Sequence, residues 1–316
     1  MSSDPLNLPI PEVFVYGLSV PPDGQRFAHY ASNQVAHSII THREFWLRNA
    51  LLMNDFSEIG YGESCLAYSF RMGTLDMLAA ALDAIQPNTW VKVKEKYQDL
   101  QSILATRTYL ACLTEHSDTD DAHGRLSMWR GYGTFDSAAI VLTAAAIKQI
   151  GFPGAYFRKV QYWTAEQVNA DLRSRSDQLQ GARAVLKDVD PSVFVDWVFA
   201  LLRDVALCTK HPAFFEEHEW RLIISATLQE ATASHKPVIK FPRGKMEEVI
   251  VIRLDDAVAG NDFVSGAAWL DRIIVGPCDN SAAVRMAYVS LLRGKAINSS
   301  SPENVVFCSG VPLRRQ

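Results

Sequence analysis

The stretch Glu219-Trp220-Arg221-Leu222-Ile223-Ile224-Ser225 decides the fold class of this chain. Its β-branched and aromatic side chains predict a buried strand. Three more predicted strands follow it, at 238–241, 248–253 and 272–275, and no long helical pattern separates them. Consecutive strands favour an antiparallel sheet, because a doubly wound parallel sheet needs a helix between one strand and the next.

Helical patterns are instead collected in two blocks, at 63–106 and 164–208. The sequence therefore predicts an α+β fold, with a central, mostly antiparallel sheet and two helical insertions. Residues 1–24 are rich in proline and serine, which predicts an extended arm, and residues 25–316 are predicted to form a single globular domain. The remaining predicted strands lie at 26–30, 45–47, 108–113, 138–143, 155–162 and 305–308.

Composition narrows the classes of function. The 316-residue chain has a formal net charge of −4, with acidic and basic residues interleaved, which gives no reason to expect non-specific nucleic-acid binding. It has no apolar run near the ~20 residues that cross a bilayer. Without a secretory signal, and with five scattered cysteines, we expect a cytoplasmic protein that has no membrane partner. The chain also lacks CxxC, GxGxxG, Walker, GxSxG and HExxH motifs, and no metal is expected.

Two early clusters carry polar side chains suited to a site. His29-Tyr30-Ala31-Ser32 lies at the end of the first predicted strand, where polar residues often form the edge of a site. The alternative is a histidine bonded to a backbone carbonyl, with Ser32 as a helix cap. Asn54-Asp55-Phe56-Ser57-Glu58 suits a turn that contacts a ligand or a metal, but the same residue types also form ordinary turns.

A third cluster is Met128-Trp129-Arg130-Gly131-Tyr132-Gly133. Its aromatic faces and guanidinium lie beside glycines, where a backbone can approach a ligand closely. The alternative is a core tryptophan next to a surface arginine.

The fourth cluster precedes the strand at 219–225. Because side chains alternate along a strand, Glu217, Glu219 and Arg221 are predicted to point to the same side. Two carboxylates on one side repel each other unless a ligand, a proton or Arg221 compensates, which makes them candidates for a perturbed site. The alternative is a solvated charged face. Lys210 adds a positive charge that could steer a phosphate or complement a helix C-terminus.

In this order the clusters resemble the bacterial domain-of-unknown-function family 2971. The resemblance spans about residues 25–225, and a weaker echo lies at Ile274-Val275-Gly276-Pro277. The segments that carry it are His29-Tyr30-Ala31-Ser32, Asn54-Asp55-Phe56-Ser57-Glu58, Cys112-Leu113-Thr114-Glu115, Met128-Trp129-Arg130-Gly131-Tyr132 and Glu217-His218-Glu219-Trp220-Arg221.

A second resemblance implies a reaction. A first-strand histidine, a helix behind it, a central aromatic segment and Glu-x-Glu opening a later strand are similar to ADP-ribosyltransferases. This resemblance implies a split sheet and NAD as the substrate, with Glu219 as the catalytic carboxylate and Glu217 orienting the acceptor. It implies that His29 anchors NAD and that Tyr132 or Trp129 stacks on nicotinamide, in a binding site formed by His29, Tyr30, Ser32, Asn54, Trp129, Arg130 and Tyr132.

We therefore expect an NAD-dependent mono-ADP-ribosyltransferase that modifies a protein or a nucleic acid. Such families imply a toxin or an anti-phage defence effector, with a neutralising partner protein. One alternative is a non-catalytic module that recognises a nucleotide or a partner through Trp129, Arg130 and Tyr132. The other is a nuclease or hydrolase that holds magnesium or manganese with hard oxygen ligands, from Asp55, Glu58, Glu217 and Glu219.

Overall fold

The structure of the chain is a computed structural model, which describes residues 10–18, 20–52, 57–133, 136–143, 146, 155–225, 236–241, 245–254, 269–297 and 301–312. The helices in this part of the chain are α1 (Asn33–His42), α2 (Ser57–Arg71), α3 (Thr74–Ile85), α4 (Thr89–Thr106), α5 (Leu126–Gly131), α6 (Ala165–Leu186), α7 (Pro191–Cys208) and α8 (Ser281–Gly294). The strands are β1 (Arg26–Ser32), β2 (Glu44–Asn49), β3 (Thr108–His116), β4 (Ser137–Leu142), β5 (Ala155–Lys159), β6 (Gln161–Tyr162), β7 (Thr209–Lys210), β8 (Glu219–Ser225), β9 (Val238–Lys240), β10 (Glu247–Arg253), β11 (Leu270–Val275) and β12 (Val306–Cys308).

Ten of these strands form one sheet, in the order β12-β11-β4-β1-β3-β2-β10-β9, with β8 paired to β3 and β5 paired to β8. Of the strand pairs described in this sheet, only β11 and β12 run parallel, and the others are antiparallel. The helices α2–α4 and α6–α7 lie in the two stretches of sequence with helical periodicity. The α+β class with a mostly antiparallel sheet is thereby confirmed.

The sheet forks at β3. Along one edge, β3 pairs with β8 from Thr108 to Thr114. Along the other edge it pairs with β1 at one end, where Ala28 lies opposite Thr114, and with β2 at the other end, where Asn49 lies opposite Tyr109. The pairing of β1 with β3 ends at Ala28, β2 reaches β3 only at Arg48, and helix α1 joins the two strands.

The two faces of the sheet are packed differently. On one face, Leu110 of β3 and Ile223 of β8 pack against the layer formed by α2, α3, α4, α6 and α7, and we call this the helical face. On the opposite face, Phe27, Trp220 and Leu222 belong to a second core with residues of α1 and α8. The alternation of side chains along β8 therefore assigns Glu219 and Arg221 to the helical face.

The N-terminal segment corrects one prediction. Residues 1–24 are predicted to lie outside the folded domain, but Val13, Phe14 and Tyr16 are buried in the core of the helical face. Arg175 of α6 donates hydrogen bonds to the carbonyl oxygens of Val13 and Val15, at 2.8 and 3.1 Å. Prolines interrupt this segment on both sides of the short apolar run Val13-Phe14-Val15-Tyr16, and its apolar side chains have no period that sequence reasoning could use.

Candidate functional site

The site is built where the chain enters β8. Residues Pro212–Glu217 form a 3₁₀ turn, and His218 then takes a left-handed conformation with φ 43°, which redirects the chain into the strand. As a result, Glu217 and Glu219 converge on one ammonium group. The Nζ of Lys210 lies 2.6 Å from Oε2 of Glu217 and 3.1 Å from Oε2 of Glu219. The predicted pairing of the two carboxylates is thus found, with Lys210 as the cation between them.

Glu219 is buried and held by ion pairs. It is 3% exposed, and Nε of the fully buried Arg221 lies 2.8 Å from its Oε1. Burial alone would raise the pKa of this carboxyl, but the charges of Arg221 and Lys210 outweigh it and hold the pKa well below its usual range. Both oxygens are therefore engaged by cations, and Glu219 remains ionised near neutral pH.

Glu217 differs from Glu219 in its exposure and in the direction of its pKa shift. Its side chain is 14% exposed, and its Oε1 accepts a hydrogen bond of 3.0 Å from the hydroxyl of Tyr132. Burial raises the pKa of Glu217 above its usual value, against the opposing charge of Lys210. Two neighbouring carboxylates with pKa values pushed in opposite directions are a frequent arrangement in acid–base sites. The carboxylate that sequence reasoning made catalytic, Glu219, is the inaccessible member of the pair.

The two aromatic candidates, Trp129 and Tyr132, lie in different surroundings. Trp129 is buried, its indole nitrogen donates to the carbonyl oxygen of His123 at 2.8 Å, and its ring contacts Tyr30 edge-on at 4.7 Å. It belongs to the core on the helical side of β1 and β4, so it has no free face for a ligand. Tyr132 is half-buried and its hydroxyl reaches Glu217, so it is the one of these two candidates that lies at the site. Arg130 is exposed on α5.

The predicted NAD anchor, His29, lies on the other side of the sheet. Ala28 pairs with Thr114 and Thr114 pairs with Glu219, so these three side chains share the helical face and His29, one residue on, points to the opposite face. There its Nδ1 lies 3.2 Å from the carbonyl oxygen of Cys112, inside the fork, and burial lowers its pKa. His29 therefore does not join the carboxylates.

Ser32 and Tyr30 serve local structure. The hydroxyl of Ser32 accepts the amide of Val35 and caps α1, which is the alternative that the sequence left open. Tyr30 is buried, and its hydroxyl oxygen accepts the amide of Arg125 at 2.8 Å. Neither side chain is brought to Glu217 or Glu219.

Asn54 and Asp55 lie outside the described residues, and so does the side chain of Glu58. Among the side chains that are described, no three histidine, cysteine, aspartate or glutamate residues are grouped as a metal site would require.

Two contacts of the site had no signal in the sequence. The hydroxyl of Tyr162 accepts the amide of Glu219 at 2.8 Å, across 57 positions of sequence. Arg125 donates to the carbonyl oxygens of Glu216 and Glu115, which ties the 3₁₀ turn to the segment before α5. The sequence indicates only the charge of Lys210, because its position between two carboxylates depends on the pairing of β7 with β6.

The turn that carries Glu217 also exposes apolar side chains. Phe214 and Phe215 of the 3₁₀ turn are exposed, as is Leu126 at the start of α5. The Nζ of Lys210 lies 5.0 Å from the ring centroid of Phe214, so this ring covers part of the buried cation. The half-buried carboxylate is thus bordered by exposed aromatic side chains.

Comparison of the chain with protein-family models, with curated proteins and with solved structures found no significant match. Of the helices that the structure describes, none is long and apolar enough to cross a membrane.

Proposed function

We propose that the chain is an NAD-dependent ADP-ribosyltransferase-like enzyme whose working carboxylate is Glu217, with Glu219 as its fixed ionic support. The resemblance to family 2971 and to ADP-ribosyltransferases stays a prediction. One observation carries the proposal: Glu217 is the more accessible carboxylate of a close pair, with 14% of its side chain exposed against 4% for Glu219, and Tyr132 and Lys210 each hold one of its oxygens.

The residue types suit the chemistry of the nicotinamide–ribose bond. When that bond breaks, its electron pair leaves with nicotinamide and positive charge builds on the ribose. An anion in a partly dry site stabilises such a charge, and we assign this role to Glu217, because both oxygens of the buried Glu219 are already held by Arg221 and Lys210. The ring of Tyr132 is the surface at which the leaving nicotinamide can stack.

Glu217 then completes the transfer. A nucleophile of the acceptor attacks the ribose carbon, forms the new bond and loses its proton, which Glu217 takes as a general base. Its raised pKa suits this role, because general bases work best when their pKa lies near the working pH. The exposed Phe214 and Phe215 beside it favour a macromolecular acceptor, since such rings bind protein or base surfaces.

Nicotinamide release from NAD by the purified protein tests the proposal, with cell lysate as the source of acceptor. The variant is Glu217→Gln, and the matched control is Glu216→Gln, which removes the exposed neighbouring carboxylate of the same turn. We expect release by the wild type and by Glu216→Gln, and a loss of at least about a hundredfold in Glu217→Gln, within the range ascribed to a general base.

The other outcomes assign other functions. If NAD raises the melting temperature but no nicotinamide is released, the chain is a nucleotide-binding module. Chelator-sensitive cleavage of nucleic acid without NAD would favour the metal-dependent hydrolase. Equal release by Glu217→Gln and wild type would remove Glu217 from the mechanism. The toxin or anti-phage context and a neutralising partner protein remain expectations that depend on NAD turnover.

A further inference from the structure

A cleft of about 380 Å³ lies between the turn that joins α3 to α4 and the turn that joins α6 to α7. Every residue that lines it belongs to the part of the chain that the structure describes. Its volume is within the range of small-molecule sites. Helix α7 begins at the cleft and ends just before Lys210, and its 18 residues span about 27 Å, so the cleft is distinct from the carboxylate site.

Gln86, one of the residues that line the cleft, bridges the two turns. Its Nε2 donates to the carbonyl oxygens of Leu186 and Val189, at 3.1 and 2.8 Å. The residue is 9% exposed, and its Oε1 is buried without a hydrogen-bond partner among the described residues. A buried acceptor in this state has lost its bond to water and gained none in return. A ligand that supplies a donor at this point would therefore be stabilised.

The walls of the cleft are mainly apolar. Ile85 comes from the first turn, and Val189 and Val195 come from the second turn and from α7. Pro87 and Pro191 complete the two sides. Apolar walls with a few placed polar atoms are typical of sites for small organic molecules, in which the polar atoms fix the orientation of the ligand.

The charges around the cleft nearly cancel. Lys92 and Lys187 are the charged residues among those that line it, and both are exposed. Asp83 and Asp190 each accept a backbone amide from the first turn of α4 or α7, at 2.9 and 2.8 Å, and Asp188 is exposed beside Lys187. These carboxylates offset the two lysines and the positive ends of both helices. The cleft therefore lacks the excess of positive charge that would select an anion.

We propose that this cleft binds a small, neutral, mainly apolar molecule that donates one N–H or O–H group to Oε1 of Gln86. The donor pairs the buried acceptor, and the body of the molecule covers the apolar walls. An anion would gain from the lysines, but it would meet the neighbouring carboxylates and leave Oε1 without a donor.

Binding of simple bicyclic probes to the full chain tests the site without any need for NAD turnover. The probe is indole. Benzofuran, which has a ring oxygen in place of the N–H, has nearly the same shape without the donor, and indole-3-acetate adds a carboxylate. The variant is Gln86→Met, which removes the acceptor, and the control is Gln98→Met, an exposed position of α4 outside the cleft. Titrations followed by the side-chain amide resonance of Gln86 report both affinity and location.

We expect indole to bind and to shift this resonance, and benzofuran to bind at least about tenfold more weakly, because it leaves the buried acceptor unpaired. Gln98→Met should keep this preference, and Gln86→Met should reduce it to less than about twofold. If Gln86→Met does not fold, the comparison of the two probes on the wild type still decides. Equal binding of indole and benzofuran by the wild type would overturn the role of Oε1. Tighter binding of indole-3-acetate than of indole would overturn the neutral class, and the absence of any shift with indole would overturn the site.

Discussion

Replacing either carboxylate of the pair by its amide should separate their roles in stability. Glu219→Gln leaves the fully buried Arg221 facing a neutral group, whereas Lys210 keeps its ion pair with Glu217. Removing one partner of a buried ion pair costs about 3–5 kcal/mol, because the remaining charge stays desolvated. That is a large part of the roughly 5–15 kcal/mol that stabilises a domain. Glu217→Gln should cost less than about 1 kcal/mol, because Lys210 keeps Glu219 and burial already disfavours an ionised Glu217.

Urea unfolding near neutral pH measures both free energies, provided that the two variants and the wild type share one m-value. The double variant Glu219→Gln/Arg221→Met is the control, because it removes both charges and should lose less than the sum of the single changes. A Glu219→Gln protein within about 1 kcal/mol of the wild type would refute the reasoning, since an uncompensated buried charge costs more than that. So would a larger loss in Glu217→Gln than in Glu219→Gln.

The free energy of unfolding should depend on pH through the carboxyl of Glu219. The folded pKa of Glu219 lies below its unfolded value, so its contribution to stability is present above the ordinary carboxyl pKa and is lost as the pH falls through the folded pKa. Glu219→Gln should therefore flatten the acid limb of the stability curve. An acid limb as steep in Glu219→Gln as in the wild type would assign that loss to other carboxylates.

Three further changes test the packing. Gly62→Ala should destabilise the protein by about 1–3 kcal/mol, because a Cβ at this position would collide with backbone carbonyls of α7. The control is Gly60→Ala on the same helix, whose Cβ meets no atom within 4 Å, and thermal unfolding should show it to be neutral or slightly stabilising. His29 is buried with a lowered pKa, so the free energy of unfolding should fall as the pH drops below about 6.5. In urea unfolding, His29→Asn should make this dependence on pH less steep, and an unchanged dependence would contradict the reasoning. Trp129→Phe should lower the free energy of unfolding with little effect on NAD affinity, whereas Tyr132→Leu, which removes the stacking ring, should lower NAD affinity, as melting curves with and without NAD would show.

Much of the fold could be predicted because it depends on local periodicity. The stretch at 219–225 alternates and is β-branched, and it forms β8 with Glu219 and Arg221 on one face as predicted. The helical blocks likewise have the period of helices that bury one side. The burial of the N-terminal segment was not predicted because the apolar run Val13-Phe14-Val15-Tyr16 is too short to show a period, and its packing depends on the distant helices α6 and α7.

The sequence by itself determined the class of the fold, through the periodic pattern of each segment, and the shared face of Glu219 and Arg221, which lie two positions apart on one strand. It left open whether Ser32 caps α1 and whether Glu217 and Glu219 form a site or a solvated charged face. Only the tertiary structure decided which carboxylate is accessible, which aromatic ring reaches it, and on which face His29 lies. Tyr132 meets Glu217 across 85 positions, and His29 meets Cys112 across 83. Contacts over such separations depend on strand pairing and on the fork at β3, and neither leaves a period in the chain.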